Sequence, residues 1–412
     1  MKRRVVITGF GTINPIGNNA KETWESVAAG RCGIDKISLY DASERKVKLA
    51  AEVKNPDFES VIEKKELRKM DRYSAFAMMA ASEAIEMSGL DYENADTGRW
   101  GTLISSGIGG IGTIESEDKR GLERGYDKVS PFFIPMSISN MAAGNIAIKY
   151  NLKGMCSCVV SACAGATNAI GDAYRHIKDG YGDVMVCGGA EAAVTPLSIG
   201  GFSSMHALCT SEDPLRASIP FDKERSGFVM GEGAGILVLE EYEHAKKRGA
   251  KIYGELAGYG ANCDAYHITS PDPSAEGAAA CMKQALSDAE AEPSKIDYIN
   301  AHGTSTSLND KTETLAIRKV FDGHADELKV SSTKSMTGHL LGASGGVEAV
   351  ITVMAILNSF VPPTIGYKEK DEECDLDIVP NKGINMQINY AMSNSLGFGG
   401  HNAAIIIKRF EE

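Results

Sequence analysis

The sequence predicts an α/β protein that is built from two similar halves. Segments with strand and helix patterns alternate along the 412 residues, the 44 glycines cluster after apolar runs, and a glycine-rich hairpin pattern occurs twice. Alternation of this kind is typical of α/β proteins with a buried, largely parallel sheet, in which glycines mark the junctions between strands and loops. A chain of this length has room for two or three domains of roughly 150 residues each.

Nine segments have the short apolar pattern of buried strands, and five have the longer period of helices. The predicted strands cover residues 4–8, 101–105, 156–160, 184–187, 235–239, 296–300, 328–332, 390–394 and 403–408. The predicted helices cover residues 74–87, 164–178, 276–289, 311–320 and 347–357.

Two pairs of segments repeat in the same order along the chain. Residues 226–241 and 395–410 each have a glycine-rich turn followed by an apolar strand, and the strand–loop–helix around Cys163 resembles the one around His339. Glycine-rich hairpins also resemble one another by chance, and the sequence alone leaves that alternative open. The sharper interpretation is two homologous halves with a junction near residue 250. The half 1–250 then carries the cysteine, and the half 251–412 carries two histidines and a lysine.

The composition argues against several classes of protein. A net charge of -12 disfavours general nucleic-acid binding, which requires a basic surface. The nine cysteines, an odd number without regular spacing, favour a reducing compartment, so we expect a cytoplasmic protein. Cys156 and Cys158 do not have zinc-site spacing. The apolar run after MKRR is short and predicts a first strand, and no apolar run of about 18 residues follows, so we expect no membrane span.

Cys163 occupies a turn between an apolar strand and a helix N-terminus, in the sequence VVSACAGATNAI. The positive end of a helix favours the thiolate, and the unpaired N–H groups of a first turn are suited to stabilising an oxyanion. The small neighbours Ala162, Ala164 and Gly165 leave room for a substrate. Cys163 is therefore a candidate nucleophile, with a buried structural cysteine as the competing interpretation.

Two histidines and a lysine follow predicted strands in the second half of the chain. His302 lies in NAHGTST, and Lys334 and His339 lie in TKSMTGH, at the carboxyl ends of strands, where α/β proteins build their sites. One such histidine is usually structural, but two in glycine- and threonine-rich loops favour a functional cluster with Cys163. His401, in the GFGGHN turn, is ambiguous. The other histidines receive no role: His176, His206, His244, His267 and His324.

Together these segments resemble the signature segments of the β-ketoacyl-carrier-protein synthases. SACA, NAHGTST and KSMTGH match in order, and NSLGFGGHNA and PFFIPMSISNMAAG extend the resemblance over the full length. The two separated histidines resemble the chain-elongating synthase II class, whereas the initiating class uses a Cys-His-Asn set. The resemblance implies the thiolase fold, in which two duplicated halves, each with a mixed five-stranded sheet, form a five-layered αβαβα arrangement.

The resemblance also implies an acyltransferase that carries out a decarboxylative condensation. Cys163 would take the acyl chain from acyl carrier protein, a malonyl thioester would lose carbon dioxide, and the carbanion would attack the acyl-enzyme to give a β-ketoacyl product longer by two carbons. His302 and His339 are expected to stabilise the thioester oxygen. Lys334 is expected to position them, with Glu348 as its charge partner.

Further residues receive roles by the same resemblance. Phe398 is expected to gate the acyl pocket, and its backbone N–H to form the oxyanion hole with that of Cys163. Thr304 and Thr306 are expected to hydrogen-bond the phosphopantetheine arm of the carrier-bound substrates, and no other cofactor is required. The expected pocket residues, for which core packing is the alternative, are Ile108, Phe133, Ile134 and Phe202. The family forms homodimers in which the PFFIP segment reaches toward the partner's pocket.

An acidic enzyme needs a local positive patch to bind an acidic carrier protein. The segment EKKELRKMDRY supplies a cluster of cations, and helical spacing predicts that the last four share one face. We expect carrier docking at these residues: Lys64, Lys65, Arg68, Lys69 and Arg72.

The family sometimes holds a structural monovalent cation near the site, and the metal content of this chain is left open. The matching positions are Asn300, Glu313, Glu348, Ser393 and Asn394.

Four other functions compete with this interpretation. A thiolase needs a second cysteine near the C-terminus, but the last one here is Cys374 in DEECDLD. A polyketide ketosynthase shares the chemistry and stays open. A chain-length-factor subunit lacks the nucleophile, which is present here. A dinucleotide-binding protein is suggested by GFGTINPIG at 9–17, but the full G-x-G-x-x-G pattern is absent.

Overall fold

The computed structural model describes residues 3–412, which form fourteen β-strands and fourteen α-helices. The strands are β1 (Val5–Ile13), β2 (Asp35–Lys36), β3 (Leu49–Ala50), β4 (Trp100–Ser105), β5 (Cys156–Ser157), β6 (Val184–Ala192), β7 (Glu232–Glu241), β8 (Gly254–Cys263), β9 (Tyr298–Asn300), β10 (Lys329–Ser331), β11 (Phe360–Val361), β12 (Ile384–Asn385), β13 (Tyr390–Gly397) and β14 (His401–Lys408). The helices are α1 (Ala20–Ala28), α2 (Lys64–Leu67), α3 (Arg72–Ser88), α4 (Ile111–Arg124), α5 (Phe133–Ser137), α6 (Met141–Lys149), α7 (Gly165–Lys178), α8 (Pro196–Ser204), α9 (Pro214–Ala217), α10 (Tyr242–Lys247), α11 (Glu276–Asp288), α12 (Ser307–Phe321), α13 (Lys334–Thr337) and α14 (Ser344–Asn358).

The main sheet consists of two five-stranded units with the same connectivity. The first has the order β5-β4-β6-β7-β1 and the second has the order β10-β9-β13-β14-β8. In each unit the first two pairings are parallel and the last two are antiparallel, and β1 joins β8 antiparallel at Val5–Ile7. The expectation of a largely parallel sheet was therefore wrong, because two of the four strand pairings in each unit are antiparallel. The mixed five-stranded sheets implied by the resemblance are confirmed.

Helices cover both faces of each unit and give five layers. α3 and α6 cover the outer face of the first unit, and α11 and α12 cover the outer face of the second. α7 and α14 lie between the two units and contact strands of both. A three-residue 3-10 turn precedes each of them, Ala162–Ala164 before α7 and Leu341–Ala343 before α14. The predicted five-layered arrangement of the thiolase fold is confirmed, and the turns that carry the candidate site repeat with it.

Two glycine pairs allow the outer helices to lie directly on the strands. A Cβ at Gly9 or Gly11 would lie 2.1 or 2.2 Å from a backbone oxygen of α3. In the second unit, a Cβ at Gly258 or Gly260 would lie 2.3 or 2.1 Å from a backbone oxygen of α11. Van der Waals contact requires a much larger separation, so only glycine fits at these positions. The GFG segment that suggested a dinucleotide site therefore serves helix packing, and its counterpart GYG repeats the same contact.

The segment Leu341–Asn358 is apolar and long enough to cross a membrane, but 89% of it is buried inside the protein. It forms the preceding turn and α14 of the central layer. Within residues 3–412, this is the one segment of such length and composition.

Candidate active site

A cavity of about 280 Å³ lies where the two halves meet. Cys163 reaches it from the first half, and His302 and His339 reach it from the second. Four further residues named from the sequence also line it: Phe202, Thr304, Thr306 and Phe398. The structure therefore brings together residues that lie up to 235 positions apart in the chain, from Cys163 to Phe398.

Cys163 occupies the turn before α7, as the sequence indicates. The preceding Ala162 has a φ of 49°, a left-handed conformation that is uncommon for residues other than glycine. Burial raises the pKa of Cys163 to about 12, and the charge of Lys334 and the backbone N–H groups of Phe398 and Cys163 act in the opposite direction. The expected preference for thiolate is thus outweighed by burial, and the resting thiol is protonated at neutral pH. Both N–H groups act on the sulfur, and their role as an oxyanion hole stays a prediction.

His302 and His339 lie edge to face, with ring centroids 5.3 Å apart and an interplanar angle of 86°. Burial lowers the pKa of both imidazoles well below the usual value of 6.5, and the charge of Lys334 lowers both further. Both rings are therefore neutral at pH 7, and each carries one N–H.

Ser344 is the hydrogen-bond partner of Nδ1 of His339. The Ser344 hydroxyl oxygen accepts the N–H of Leu340 at 2.8 Å, and it lies 2.8 Å from Nδ1 of His339. We assign the hydroxyl as donor to Nδ1, so that Ser344 accepts from Leu340 and donates to His339. The proton of the imidazole then resides on Nε2. His302 differs, since its buried Nδ1 has no hydrogen-bond partner within residues 3–412.

Lys334 lies beneath the cavity and pairs with Glu348, so the predicted pairing is confirmed. Only 1% of the Lys334 side chain and 3% of the Glu348 side chain are exposed. Glu313 fixes the loop above them, because its carboxylate accepts the backbone N–H groups of His302 and Gly303, each at 2.8 Å. The charge of Lys334 lowers the pKa of both histidines, while its ammonium donates to Glu348.

Phe398 lies in a tight turn between β13 and β14. Gly399 and Gly400 have φ angles of 83° and 76°, which side chains other than glycine rarely adopt. The Phe398 ring packs on Phe202, with centroids 6.2 Å apart. His401 begins β14, is half-buried and does not line the cavity.

The remaining predicted pocket residues lie at two different places. Ile108 packs in one hydrophobic cluster with Cys163 and Phe202 and does not line the open cavity. Phe133 and Ile134 are in α5, and Ile134 is 59% exposed. They do not line the cavity of their own chain.

The cluster of cations at 64–72 does not form one helix face. α2 ends at Leu67, and Asp71 caps a separate helix, α3. Arg72 turns inward and pairs with the buried Glu232 at 2.6 Å. The prediction of a shared face was wrong because the first helix ends at Leu67 and the next begins after Asp71, so the cations do not lie on one continuous helix.

Acidic neighbours neutralise most of the exposed cations in this segment. Lys64 pairs with Glu59, Lys65 with Glu63 and Lys69 with Glu66, at 3.5, 2.8 and 2.9 Å. Arg68 is exposed and has no ion pair among the described residues.

Three residues that the sequence did not single out belong to the site. Phe228 packs edge to face on His339, with centroids 5.1 Å apart. Ser344 binds His339 as described above, and His206 lines the cavity. Ser344 has a sequence signal, because it begins a helix five residues after a histidine; the other two have none.

The positions proposed for a monovalent cation form a buried group of oxygen atoms. Oε2 of Glu348, Oγ of Ser393 and Oδ1 of Asn394 are buried and have no partner within the described chain. Oxygen atoms of this kind suit a hard cation. In residues 3–412 there is no cluster of three His, Cys, Asp or Glu side chains suited to a transition metal.

Comparisons with known proteins agree with this geometry. The family model described as Beta-ketoacyl synthase, N-terminal domain, matches residues 2–245, and its C-terminal counterpart matches residues 253–368. The 3-oxoacyl-[acyl-carrier-protein] synthase 2 of Synechocystis sp. is 50% identical over 411 residues, covering 100% of this chain and 99% of the relative. The enzyme of the same name from Staphylococcus aureus (strain N315) is 51% identical over 409 residues, covering 99% of each.

Solved structures give the same result at lower identity. A beta-ketoacyl synthase from Burkholderia phymatum has a TM-score of 0.92 at 34% identity and covers 100% of both chains. A ketosynthase complex with a type II PKS acyl-carrier protein, bound to a hexaketide, has a TM-score of 0.92 at 35% identity over 100% of both chains. The chain therefore belongs to the beta-ketoacyl synthase family and is a condensing enzyme of the acyltransferase class.

Proposed function

We propose that this enzyme extends a carrier-bound acyl chain by two carbons, using a malonyl thioester on acyl carrier protein. The observation that carries the proposal is the single cavity that holds Cys163 from one half and His302 and His339 from the other. A nucleophile and two neutral N–H donors at one substrate are what acylation followed by decarboxylation requires.

In the first step Cys163 attacks the acyl thioester. The sulfur–carbonyl bond forms, the bond to the pantetheine sulfur breaks, and the thiol proton leaves with the pantetheine thiol. Two N–H groups near the sulfur, those of Cys163 and Phe398, are suited to holding the developing oxyanion. Because the thiol is protonated at rest, proton removal has to accompany the attack.

In the second step the malonyl thioester binds beside the acyl-enzyme and loses carbon dioxide. The electron pair of the broken bond passes to the thioester oxygen, which becomes an enolate. His302 and His339 donate to this oxygen, and Nε2 of His339 is available for that role. The carbanion form then attacks the acyl carbon, the bond from that carbon to the Cys163 sulfur breaks, and the released thiolate takes a proton from water to return to the resting thiol.

Burial and the charge of Lys334 together keep the two imidazoles neutral. A second buried cation beside a lysine is unfavourable, so protonation of either histidine is opposed. A neutral imidazole can donate a hydrogen bond to the enolate oxygen without transferring its proton. A protonated imidazole would be a stronger acid and would protonate the carbanion before it attacks the acyl-enzyme.

The carrier protein delivers both substrates through its phosphopantetheine arm. Thr304 and Thr306, whose hydroxyls lie 3.0 Å apart, line the cavity and offer hydrogen bonds to the amides of that arm. The complex of a related ketosynthase with its acyl-carrier protein supports this partner. We place the docking surface at Lys64, Lys65, Arg68 and Lys69, with Arg68 as its unpaired cation.

We further propose that the enzyme is a homodimer. β5 is at the edge of the sheet and is exposed, and an open strand edge favours pairing with another strand. Large apolar side chains are exposed in the nearby sequence segments: Phe132, Ile134, Ile138, Ile148 and Val160. Covering them with a second copy would bring Phe133 and Ile134 toward the partner's acyl pocket.

A structural monovalent cation fits the oxygen atoms of Glu348, Ser393 and Asn394. The carboxylate of Glu348 would then be shared between the cation and Lys334. The cation would supply positive charge beneath the site, and no reaction step passes through it. Its removal should lower the thermal stability.

The finer assignments concern location, pathway and domain boundary. Nine free thiols support a reducing, cytoplasmic location.

Identities of 50–51% to enzymes named 3-oxoacyl-[acyl-carrier-protein] synthase 2, against 34–35% to polyketide and other ketosynthases, favour fatty-acid elongation over a polyketide pathway. We place the boundary between the halves near residue 250, between α10 and β8.

An assay with malonyl-carrier protein and a series of acyl-carrier proteins tests the function. Product masses should correspond to the starting acyl chain plus two carbons, with one condensation per turnover. Products of many condensations without reduction would instead support the polyketide alternative.

A further inference from the structure

Glu191 is a buried carboxylate that the condensation chemistry does not use. It is the last residue but one of β6, and its exposed fraction is 0%. Four donors meet its two oxygens: the hydroxyl of Ser106 at 2.9 Å and the backbone N–H groups of Gly107, Ile108 and Gly342 at 2.7, 3.2 and 3.0 Å.

No lysine or arginine pairs with Glu191 in the described chain, in contrast to two buried carboxylates of β7. Glu232 pairs with Arg72, and Glu240 pairs with Arg248, each at 2.6 Å. Burial raises the pKa of Glu191 to about 7, although the four hydrogen bonds oppose this. Burying a carboxylate without a counter-ion costs free energy, so the hydrogen bonds to Glu191 must offset that cost.

The four donors belong to two separate segments. Residues 106–108 follow β4 in the first half, and Gly342 lies in the turn between His339 and α14 in the second half. A Cβ at Gly107 would lie 2.8 Å from a Glu191 oxygen, and one at Gly342 would lie 2.9 Å from it. Both segments therefore approach the carboxylate with bare backbone, and Glu191 holds the two halves together at this point.

Each of these segments carries one side chain of the hydrophobic cluster around the nucleophile. Ile108 follows Gly107, Leu341 precedes Gly342, and both pack in the cluster that contains Cys163 and Phe202. Leu341 lines the open cavity, whereas Ile108 packs in the cluster without lining it. Leu341 has a φ of 46°, which is strained for a leucine and persists only when its surroundings hold it.

We propose that Glu191 is a positioning residue that fixes Ile108 and Leu341 as the walls of the acyl pocket and so determines which chain lengths reach Cys163. The inference rests on the proposed function. A short acyl group ends near Cys163, within the open cavity. A long one has to extend from Cys163 into the hydrophobic cluster that contains Ile108 and Leu341, so only the long chain depends on the exact positions of these two side chains.

The test is the acylation of Cys163 by dodecanoyl- and butyryl-carrier protein, followed by intact-protein mass spectrometry. Glu191→Gln replaces one acceptor oxygen by an N–H₂ group that faces backbone N–H donors, so the wall shifts. We expect kcat/KM for the dodecanoyl substrate to fall about tenfold or more relative to the butyryl substrate. Ser106→Ala, which removes one of the four donors, should shift the ratio in the same direction by a smaller factor.

Glu240→Gln is the matched control, because it alters an equally buried carboxylate on the neighbouring strand with its own ion pair. It should lower the thermal stability and leave the ratio of the two substrates unchanged. The inference is overturned if Glu191→Gln and Ser106→Ala leave the ratio at the wild-type value, or if they slow both substrates equally. Failure of the wild-type enzyme to be acylated by either substrate would instead overturn the proposed function.

Discussion

At the scale of single residues, burial decides how the reactive groups behave. It keeps the Cys163 thiol protonated and both histidines neutral at pH 7, with the nearby Lys334 acting in favour of the thiolate and of the neutral rings. The site thus starts as thiol plus two neutral imidazoles, and charge appears only when substrate carbonyls are present. The two histidines differ in their support, since Ser344 hydrogen-bonds Nδ1 of His339 and no described group hydrogen-bonds Nδ1 of His302.

Removing either imidazole should slow the loss of carbon dioxide. We expect His302→Ala and His339→Ala each to lower the rate of malonyl-carrier decarboxylation by about 10²–10³-fold, because each deletes one donor to the enolate oxygen. Acylation of Cys163 should persist in both variants. His176→Ala, a histidine away from the cavity, is the control. Unchanged carbon dioxide release in both site variants would remove the proposed role.

The pH dependence of the same reaction follows from the lowered histidine pKa values. A group whose pKa lies well below 6.5 stays neutral as the pH falls from about 7 to about 6. The two histidines should therefore add no transition to the rate of carbon dioxide release over this range, and a transition near pH 7 would belong to the carboxyls of Glu191 and Glu313, whose pKa burial raises to about 7. A transition with a midpoint near pH 6.5 that persists in Glu191→Gln and in Glu313→Gln would show that a histidine titrates as it does in water, contrary to the structure.

At the scale of elements, the buried ion pair between Lys334 of α13 and Glu348 of α14 is a contact on which the stability of the protein depends strongly. Glu348→Gln leaves Lys334 without an anion inside the core and should reduce the free energy of unfolding by about 3–5 kcal/mol. The double variant Lys334→Met, Glu348→Leu removes both charges and should regain much of that stability, measured by thermal denaturation. It should not regain carbon dioxide release, because the cation near the histidines is still absent.

An exposed pair provides the comparison for this experiment. Lys48 and Glu212 lie 2.6 Å apart with side chains 37% and 69% exposed, and Glu212→Gln should leave the denaturation midpoint close to that of the wild type, because water screens an exposed ion pair. Equal losses in Glu348→Gln and Glu212→Gln would contradict the buried pairing.

Helix packing on β1 gives a second prediction at this scale. In Gly11→Ala the new Cβ meets the Ala80 backbone oxygen of α3 at 2.2 Å, so helix and strand must separate, at a cost of about 3 kcal/mol in unfolding free energy. Gly323→Ala is the control, since nothing lies within 4 Å of its Cβ. Similar denaturation midpoints for the two variants would contradict the close approach.

The sequence predicts the long elements well and the short or glycine-rich ones poorly. The helix predicted at 276–289 is observed as α11 (Glu276–Asp288), because its apolar period is regular. β8 was not predicted, since GELAGYGANC is rich in glycine, which is needed to contact α11 rather than to favour a strand. The strand predicted at 156–160 is only Cys156–Ser157, because it lies at the sheet edge and pairs on one side.

In the candidate site, too, some residues could be predicted from the sequence and others could not. Cys163, His302, Lys334 and His339 could be named because each follows a strand in a small-residue loop. Phe228 and Glu191 could not, because their roles arise from packing between segments that are remote in the chain. The ion pairs of the cations at 64–72 could not be predicted either, because the sequence does not show which carboxylates lie beside these cations in the folded protein.

At the scale of the whole molecule, an acidic enzyme has to meet an acidic carrier. Because Arg68 is the unpaired cation of the proposed docking surface, Arg68→Glu should weaken carrier binding about tenfold at low salt, and the difference should shrink as salt is added. Lys21→Glu, an exposed charge on α1, controls for the change in net charge. Equal binding by both variants, measured by titration calorimetry, would move the docking surface elsewhere.

In the proposed mechanism the first half supplies the nucleophile and the second supplies the donors, and this division makes the central claim testable with one substitution. In Cys163→Ala the acyl chain has no attachment point, while His302 and His339 remain in place for malonate. Condensation should therefore disappear, and carbon dioxide should still be released from malonyl-carrier protein. Condensation that survives in Cys163→Ala, with product formed at a rate comparable to wild type, would contradict the account.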